Sequence, residues 1–141
     1  SAAACGHLGD LLYAVDPDAA LAAHQTACDA KLARGCRGVG VRKLATGDTA
    51  AALPLLQGAC DVGEAKACEV WGGILADGKL VERDLAAAAT ARQTACANGD
   101  AQGCLAAAAQ AKKGKGVEKN PQQAAELLQR ACALGAMEAC P

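Results

Sequence analysis

The nine cysteines are the residues of this chain with the most chemistry to offer, and eight of them follow one spacing. Cysteines stand eight residues apart four times, as Cys28/Cys36, Cys60/Cys68, Cys96/Cys104 and Cys132/Cys140. Structural zinc sites use cysteines roughly two to four residues apart or add histidines, and only His7 and His24 are present. The spacing therefore favours four disulfides formed in an oxidising compartment, with zinc as the competitor and Cys5 left unpaired.

Such a bridge cannot be made along one continuous helix. Residues eight apart on a straight helix are separated by about 12 Å, whereas the Cα atoms of a disulfide lie within about 7 Å. A turn is therefore expected between the cysteines, supplied by Gly63, Gly99 and Gly135. Lys31 takes the place of that glycine in the first pair, so this turn is predicted to be strained or shifted toward Gly35.

The first cysteines of the pairs recur at intervals of 32, 36 and 36 residues, which is typical of stacked repeat units. Each unit predicts two helices, and the second helix begins at an Asp or Asn cap: Asp16, Asp48, Asp84 or Asn120. Alanine stands eight and one residues before each first cysteine, on one helix face that a neighbour can approach. We predict one repeat domain over 1–141, with units at about 1–27, 28–59, 60–95 and 96–131 and a partial unit at 132–141.

Composition limits the partners that this chain can have. A formal net charge of −1 provides no electrostatic argument for nucleic acid, and no apolar run is long enough for membrane insertion. No signal peptide is visible, so an exported protein would be in its mature form, and both ends cut through a repeat, which suggests a piece of a longer protein. Phenylalanine is absent. Small side chains must therefore form the core, and each disulfide is expected to add roughly 2–3 kcal/mol of stability.

Two segments, "ACDVGEAKACEVWGGILADGKLVERDLAAA" (59–88) and "ACANGDAQGCLAAAAQAKKGKGVEKNPQQAA" (95–125), resemble the Sel-one-like repeat, a relative of the tetratricopeptide repeat. The match lies in the turn glycine, the apolar–Gly pair Trp71-Gly72, and the later Gly, Val and Asp of the first segment. The resemblance implies an all-α fold, an α/α superhelical solenoid of antiparallel helix pairs, here stapled by disulfides. Residues 5–58 depart from the pattern, and "GCRGVGVRKLATG" (35–47) is predicted to be a poor helix because of Gly38 and Gly40.

Members of this family generally act as binding scaffolds, with the first helix of each unit lining a groove. The resemblance thus implies a protein or peptide partner, bound by residues on those helices or near them: Tyr13, Arg37, Arg42, Glu69, Gly73, Gln110 and Lys113. Cysteines eight apart are a feature of secreted bacterial members, so a periplasmic or secreted adaptor is expected. Penicillin binding or weak β-lactamase activity, known in some cysteine-rich members, is an alternative. A structural spacer in a larger envelope assembly is another.

Residue types do not support catalysis. A serine β-lactamase needs a serine in an S-x-x-K motif, and Ser1 is the only serine. The "GKGV" run at 114–117 lacks the spacing of a phosphate-binding loop. We therefore predict no catalytic residue, metal or cofactor. His24 is expected to be a partly exposed helix residue without a role, and Trp71 is expected to pack in the core or between repeats rather than to act as a binding hot spot.

Overall fold

The computed structural model describes all 141 residues as eight α-helices followed by a short 3-10 helix. The helices are α1 (Ala2–Leu12), α2 (Pro17–Asp29), α3 (Ala33–Ala45), α4 (Thr49–Asp61), α5 (Ala65–Asp77), α6 (Leu85–Ala97), α7 (Ala101–Lys113) and α8 (Pro121–Ala133), and the 3-10 helix is Met137–Ala139. None of them combines the length and apolarity needed to cross a membrane. The chain divides within α5 into two compact units, unit 1 (Ser1–Ala67) and unit 2 (Cys68–Pro141).

The residues predicted to cap the N-termini of the second helices all form cap hydrogen bonds. In each case the cap side chain accepts a hydrogen bond from the backbone N–H three residues later, at Asp16, Asp48, Asp84 and Asn120. Pro17 and Pro121 occupy the first turn, where a missing N–H costs nothing. Asp100 caps α7 in the same way, through the N–H of Gly103. These helices therefore begin where local side-chain chemistry satisfies their free backbone donors.

Alanine forms most of the core in both units. In unit 1 the helices α1 to α4 each pack on the next, and in unit 2 α7 packs on both α6 and α8. The eight alanines that precede the cysteine pairs are at most 4% exposed: Ala20, Ala27, Ala52, Ala59, Ala88, Ala95, Ala124 and Ala131. A methyl group at each contact lets the helix backbones approach closely. It also means that each residue buries little apolar area.

The glycine-rich segment of α3 corrects one sequence prediction. Residues 33–45 form a regular 13-residue helix, although Gly38 and Gly40 were expected to weaken it. A Cβ at Gly38 would overlap the imidazole of His24, and a Cβ at Gly40 would lie 2.9 Å from Cγ of Leu56. Both glycines are buried. The prediction was wrong because tertiary contacts with α2 and α4 outweigh the low helix propensity of glycine.

Three of the predicted bridges are present as Cys28–Cys36, Cys96–Cys104 and Cys132–Cys140, with Cα–Cα distances of 4.4, 4.4 and 4.9 Å. Cys60 and Cys68 are also disulfide-bonded, and Cys5 is a free, half-buried thiol. The first two of these bridges tie the end of one helix to the first turn of the next, and the third ties the end of α8 to Cys140, directly after the 3-10 helix. The short Cα–Cα distances require the chain to reverse within eight residues.

The turns inside the bridges use left-handed backbone, as expected. Gly63, Gly99 and Gly135 have φ values of 88°, 100° and 100°. Lys31 adopts φ 65° and is the only residue other than glycine with a positive φ. Of the two alternatives for this turn, strain is therefore correct and a shift toward Gly35 is wrong, since Gly35 lies inside α3. A residue with a Cβ pays about 1–2 kcal/mol for this conformation.

Candidate functional site

The two arginines predicted on the binding surface of α3 are both engaged within unit 1. The side chain of Arg37 is 17% exposed, and it donates to Oδ2 of Asp10 at 3.3 Å and to Oε2 of Glu64 at 3.2 Å. Arg42 is more open at 28% and donates to Oδ1 of Asp18 at 3.4 Å. Asp18 is 93% exposed, so this pair is screened by water. Arg42 is thus the more accessible of the two arginines.

Asp10 lies at the centre of a polar cluster that the sequence did not predict, and one member of the cluster, His24, is buried. His24 lies on α2, is 2% exposed, and its Nε2 is 2.8 Å from Oδ1 of Asp10. Arg34 donates from Nε to Oδ2 of the same carboxylate, which Arg37 also contacts. The expectation that His24 is partly exposed is wrong. The cluster joins α1, α2 and α3 through one carboxylate.

Packing and charge together explain how this cluster is tolerated. A Cβ at Gly9 on α1 or at Gly38 on α3 would overlap the His24 ring, so two glycines make room for it. Burial raises the pKa of Asp10, but the hydrogen bonds from Arg34 and His24 and the nearby arginine charges hold it below its ordinary value overall. Asp10 therefore stays a carboxylate and accepts hydrogen bonds from its neighbours. Glycines at these positions were the one sequence signal that could have revealed the buried ring.

Gln110 of unit 2 was also predicted to face a partner, and in the structure its side chain is engaged within unit 2. It is 5% exposed. Its Nε2 donates to the carbonyls of Leu85 at 3.1 Å and Lys115 at 3.0 Å, while Oε1 accepts from Arg92 at 3.1 Å. The amide therefore holds the loop after α7 against the start of α6. A buried amide with all of these partners is a structural group.

Beside Gln110, basic side chains surround a shallow recess of about 230 Å³. Its lining includes Arg92, Lys113 and Lys115, of which the two lysines are exposed. Burial lowers the pKa of Arg92, and the negative charge of Glu69 opposes that shift. Lys113 also lies in the last turn of α7, where a cation is favoured by the helix dipole. Lys113 and Gln110 therefore line the same recess. Arg92 also lines it, and the charge of Glu69 favours the protonated form of that arginine.

The remaining predicted surface residues stand apart from these groups. Tyr13 follows α1 and is 39% exposed. Gly73 lies on α5, where a Cβ would meet no atom within 4 Å. The lysines of the charged run at 112–119 are exposed to water. No group of three or more His, Cys, Asp or Glu side chains is arranged to hold a metal ion.

Solved structures provide the comparison that decides the family. A Sel1 repeat protein from Oxalobacter formigenes has a TM-score of 0.83 at 22% identity, over 99% of this chain and 60% of that one. A protective antigen of uropathogenic Escherichia coli strains, described as displaying an SLR fold, has a TM-score of 0.81 at 22% identity, over 99% and 32% of the two chains. Cysteine-rich protein B of Helicobacter pylori is 32% identical, with a TM-score of 0.65, over 75% of this chain and 78% of that one. This chain belongs to the Sel1-like repeat (SLR) family.

Membership of the SLR family confirms the predicted fold class: an all-α, α/α solenoid of helix pairs with disulfide staples. The chain spans 60% and 32% of the lengths of the Oxalobacter and Escherichia proteins. No protein-family model and no curated protein matches the sequence. SLR proteins are helical repeat scaffolds, and the chain has that architecture.

Proposed function

We propose that this SLR protein is an extracytoplasmic scaffold that binds a protein or peptide partner. The observation that carries the proposal is the repeat architecture itself, shared with the Sel1 repeat and SLR structures. Stacked repeats present extended surfaces whose residues can vary without disturbing the core. Here the core is built from buried alanines, which leaves the charged side chains of α3, α5 and α7 to determine what is bound.

The disulfides support a location outside the cytoplasm. Bridges of this kind persist in oxidising compartments and are rare where thiols are kept reduced. They also supply stability that an alanine core lacks, since each cross-link restricts the unfolded chain. The 32% identity to a cysteine-rich protein of Helicobacter pylori supports a bacterial protein of the periplasm or the secreted fraction.

Of the predicted contact residues, Tyr13 and Lys113 are exposed and Arg42 is partly exposed. Tyr13 is 39% exposed, the Arg42 side chain is 28% exposed, and Lys113 is exposed at the end of α7. Arg37, although less exposed, presents its guanidinium between two carboxylates. Arginine and tyrosine are enriched at interface hot spots. We therefore propose Arg42 and Tyr13 as contacts in unit 1 and Lys113 as a contact in unit 2.

The test is affinity capture from the envelope fraction of the source organism with the oxidised protein, followed by mass spectrometry. We expect one or a few proteins to be retained specifically, and retention to fall by about tenfold for Arg42→Ala or Lys113→Ala, as for a moderate hot spot. Lys79→Ala, which changes an exposed lysine of a loop, is the matched control. Retention of background proteins alone, at every salt concentration, would contradict the adaptor function.

A further inference from the structure

A recess opens in unit 1 between the first turn of α3 and the second half of α4. Its volume is about 210 Å³. Its lining from α4 and the turn after it consists of Pro54, Leu55, Gly58 and Val62. Cys36 of α3 also lines it, and Lys31 lies at its rim. Ordinary small-molecule pockets begin at roughly 300 Å³. This recess therefore has room for a single side chain rather than for a cofactor.

The α4 face around the recess differs from the same face of later second helices. Pro54, Gly58 and Val62 are spaced by four residues and lie on one face of α4 and its continuation. Five of the six equivalent residues in the later second helices are polar or charged: Thr90, Thr94, Asn98, Glu126 and Arg130. The sixth is Leu134, the counterpart of Val62. Val62 is 75% exposed. Unit 1 thus presents an apolar surface where unit 2 presents polar groups to water.

Packing within the chain does not account for Pro54 and Gly58. A Cβ at Gly58 would meet no atom within 4 Å, so no close neighbour requires a glycine there. Pro54 lies inside α4 and removes one helical hydrogen bond. Both residues disfavour a helix, and both are exposed. Their shared effect is a shallow, open surface between Leu55 and Val62.

Lys31 adds a positive charge to the rim of this apolar surface. It is the only charged residue that lines the recess, and it makes no ion pair. Asp29, its nearest acidic neighbour in sequence, accepts a hydrogen bond from Gln25. Lys31 also retains the strained φ of 65° at a turn where glycine stands in the other three pairs. A residue held in such a conformation points to a role that the fold alone does not require.

We propose that the recess binds an aliphatic side chain of an acidic peptide segment in the partner, whose neighbouring carboxylate pairs with Lys31. This inference rests on the proposed scaffold function and specifies the chemistry of one contact. The apolar lining favours burial of a Leu-, Ile- or Met-sized side chain. The unpaired ammonium selects a carboxylate next to it and disfavours a basic segment by repulsion.

The experiment is a selection from a random heptapeptide phage library on the immobilised, oxidised protein, with parallel selection on Gly58→Leu. A leucine at residue 58 has space to form and would fill the recess. We expect enriched peptides to carry an aliphatic residue beside Asp or Glu and to disappear with Gly58→Leu. Ala125→Leu, on the exposed face of α8, is the matched control and should retain them. Peptides that are basic, or that bind wild type and Gly58→Leu equally, would overturn the proposal while leaving the scaffold function intact.

Affinity measurements on one enriched peptide then test Lys31. Lys31→Gly should weaken binding about fivefold, the effect of losing one partly exposed ion pair, while raising the thermal midpoint because φ is no longer strained. Lys31→Arg should retain most of the affinity, and Lys79→Gln should retain all of it. A purely structural role of Lys31 would lower stability in Lys31→Gly and leave peptide affinity unchanged. Failure to enrich any peptide on either protein would overturn this inference, whereas the scaffold function is decided separately by the capture from the envelope fraction.

Discussion

Replacing Gly38 by alanine tests the packing of His24 against the helix propensity of α3. Alanine is about 1 kcal/mol better than glycine inside a helix, so propensity alone predicts a more stable protein. The new Cβ would overlap the His24 ring, however, and the ring also faces Gly9 on its other side. It cannot shift without leaving Asp10, to which it is bonded at 2.8 Å.

The magnitude follows from these opposing terms. Overpacking costs about 1–3 kcal/mol, and loss of a hydrogen bond to a carboxylate costs about 1.5–3 kcal/mol before solvent screening. Asp10 is 21% exposed and keeps Arg34 and Arg37, so the second cost is reduced. We expect Gly38→Ala to lower the free energy of unfolding by about 1–3 kcal/mol after the propensity gain.

Urea unfolding of the oxidised protein, followed by circular dichroism, measures this change. Gly73→Ala is the matched control, because a Cβ at this helical glycine meets no atom within 4 Å and should add about 0.5–1 kcal/mol. In a His24→Ala background the cost of Gly38→Ala should largely vanish, since no ring remains to be displaced. The reasoning is refuted if Gly38→Ala stabilises the protein as much as Gly73→Ala does.

Three further predictions concern the thiols, the buried amide and the carboxylate of Asp10. Ellman's reagent should detect one thiol per denatured chain without reductant and nine after reduction; three thiols before reduction would mean that a bridge is missing. Gln110→Leu should lower stability by about 1–3 kcal/mol and speed proteolysis of the loop at 114–119, because two carbonyls lose their donor, whereas Gln122→Leu should change neither. Since folding lowers the pKa of Asp10, its contribution is present above its unfolded pKa of about 4 and is lost as pH falls through the folded value. The stability difference between wild type and Asp10→Asn should thus be constant near neutral pH and shrink below about pH 4; a difference that grows on acidification would contradict this sign.

Features that depend on neighbours in sequence were predictable. The caps at Asp16, Asp48 and Asp84 act through N–H groups three residues away, so the local sequence contains both partners. The same holds for the left-handed turns at Gly99 and Gly135, which lie between bonded cysteines only eight positions apart. Even the strained turn at Lys31 was one of two stated alternatives, because the repeat pattern marked the missing glycine.

Features that join distant helices were not predictable from one sequence. His24 and Asp10 are 14 residues apart, and Arg34 is 24 residues from the same carboxylate. Gln110 bonds to a carbonyl 25 residues away. No local pattern marks these partners, and polar residues on a helix usually face water. The exposure of the predicted contact residues could not be read from the sequence either, because the exposure of Arg42 and the burial of Gln110 depend on what packs beside them.

The sequence by itself determined the helix pairs, their caps, the cysteine spacing and the alanine contact face, because each depends on residues within one repeat. Only the tertiary structure decided that the glycines of α3 are needed to accommodate His24, that Gln110 holds a loop, and that an apolar recess opens beside Lys31. The physical reason is that these outcomes are set by the volume and charge left between helices once they have packed, and that space is shared by residues far apart in the chain.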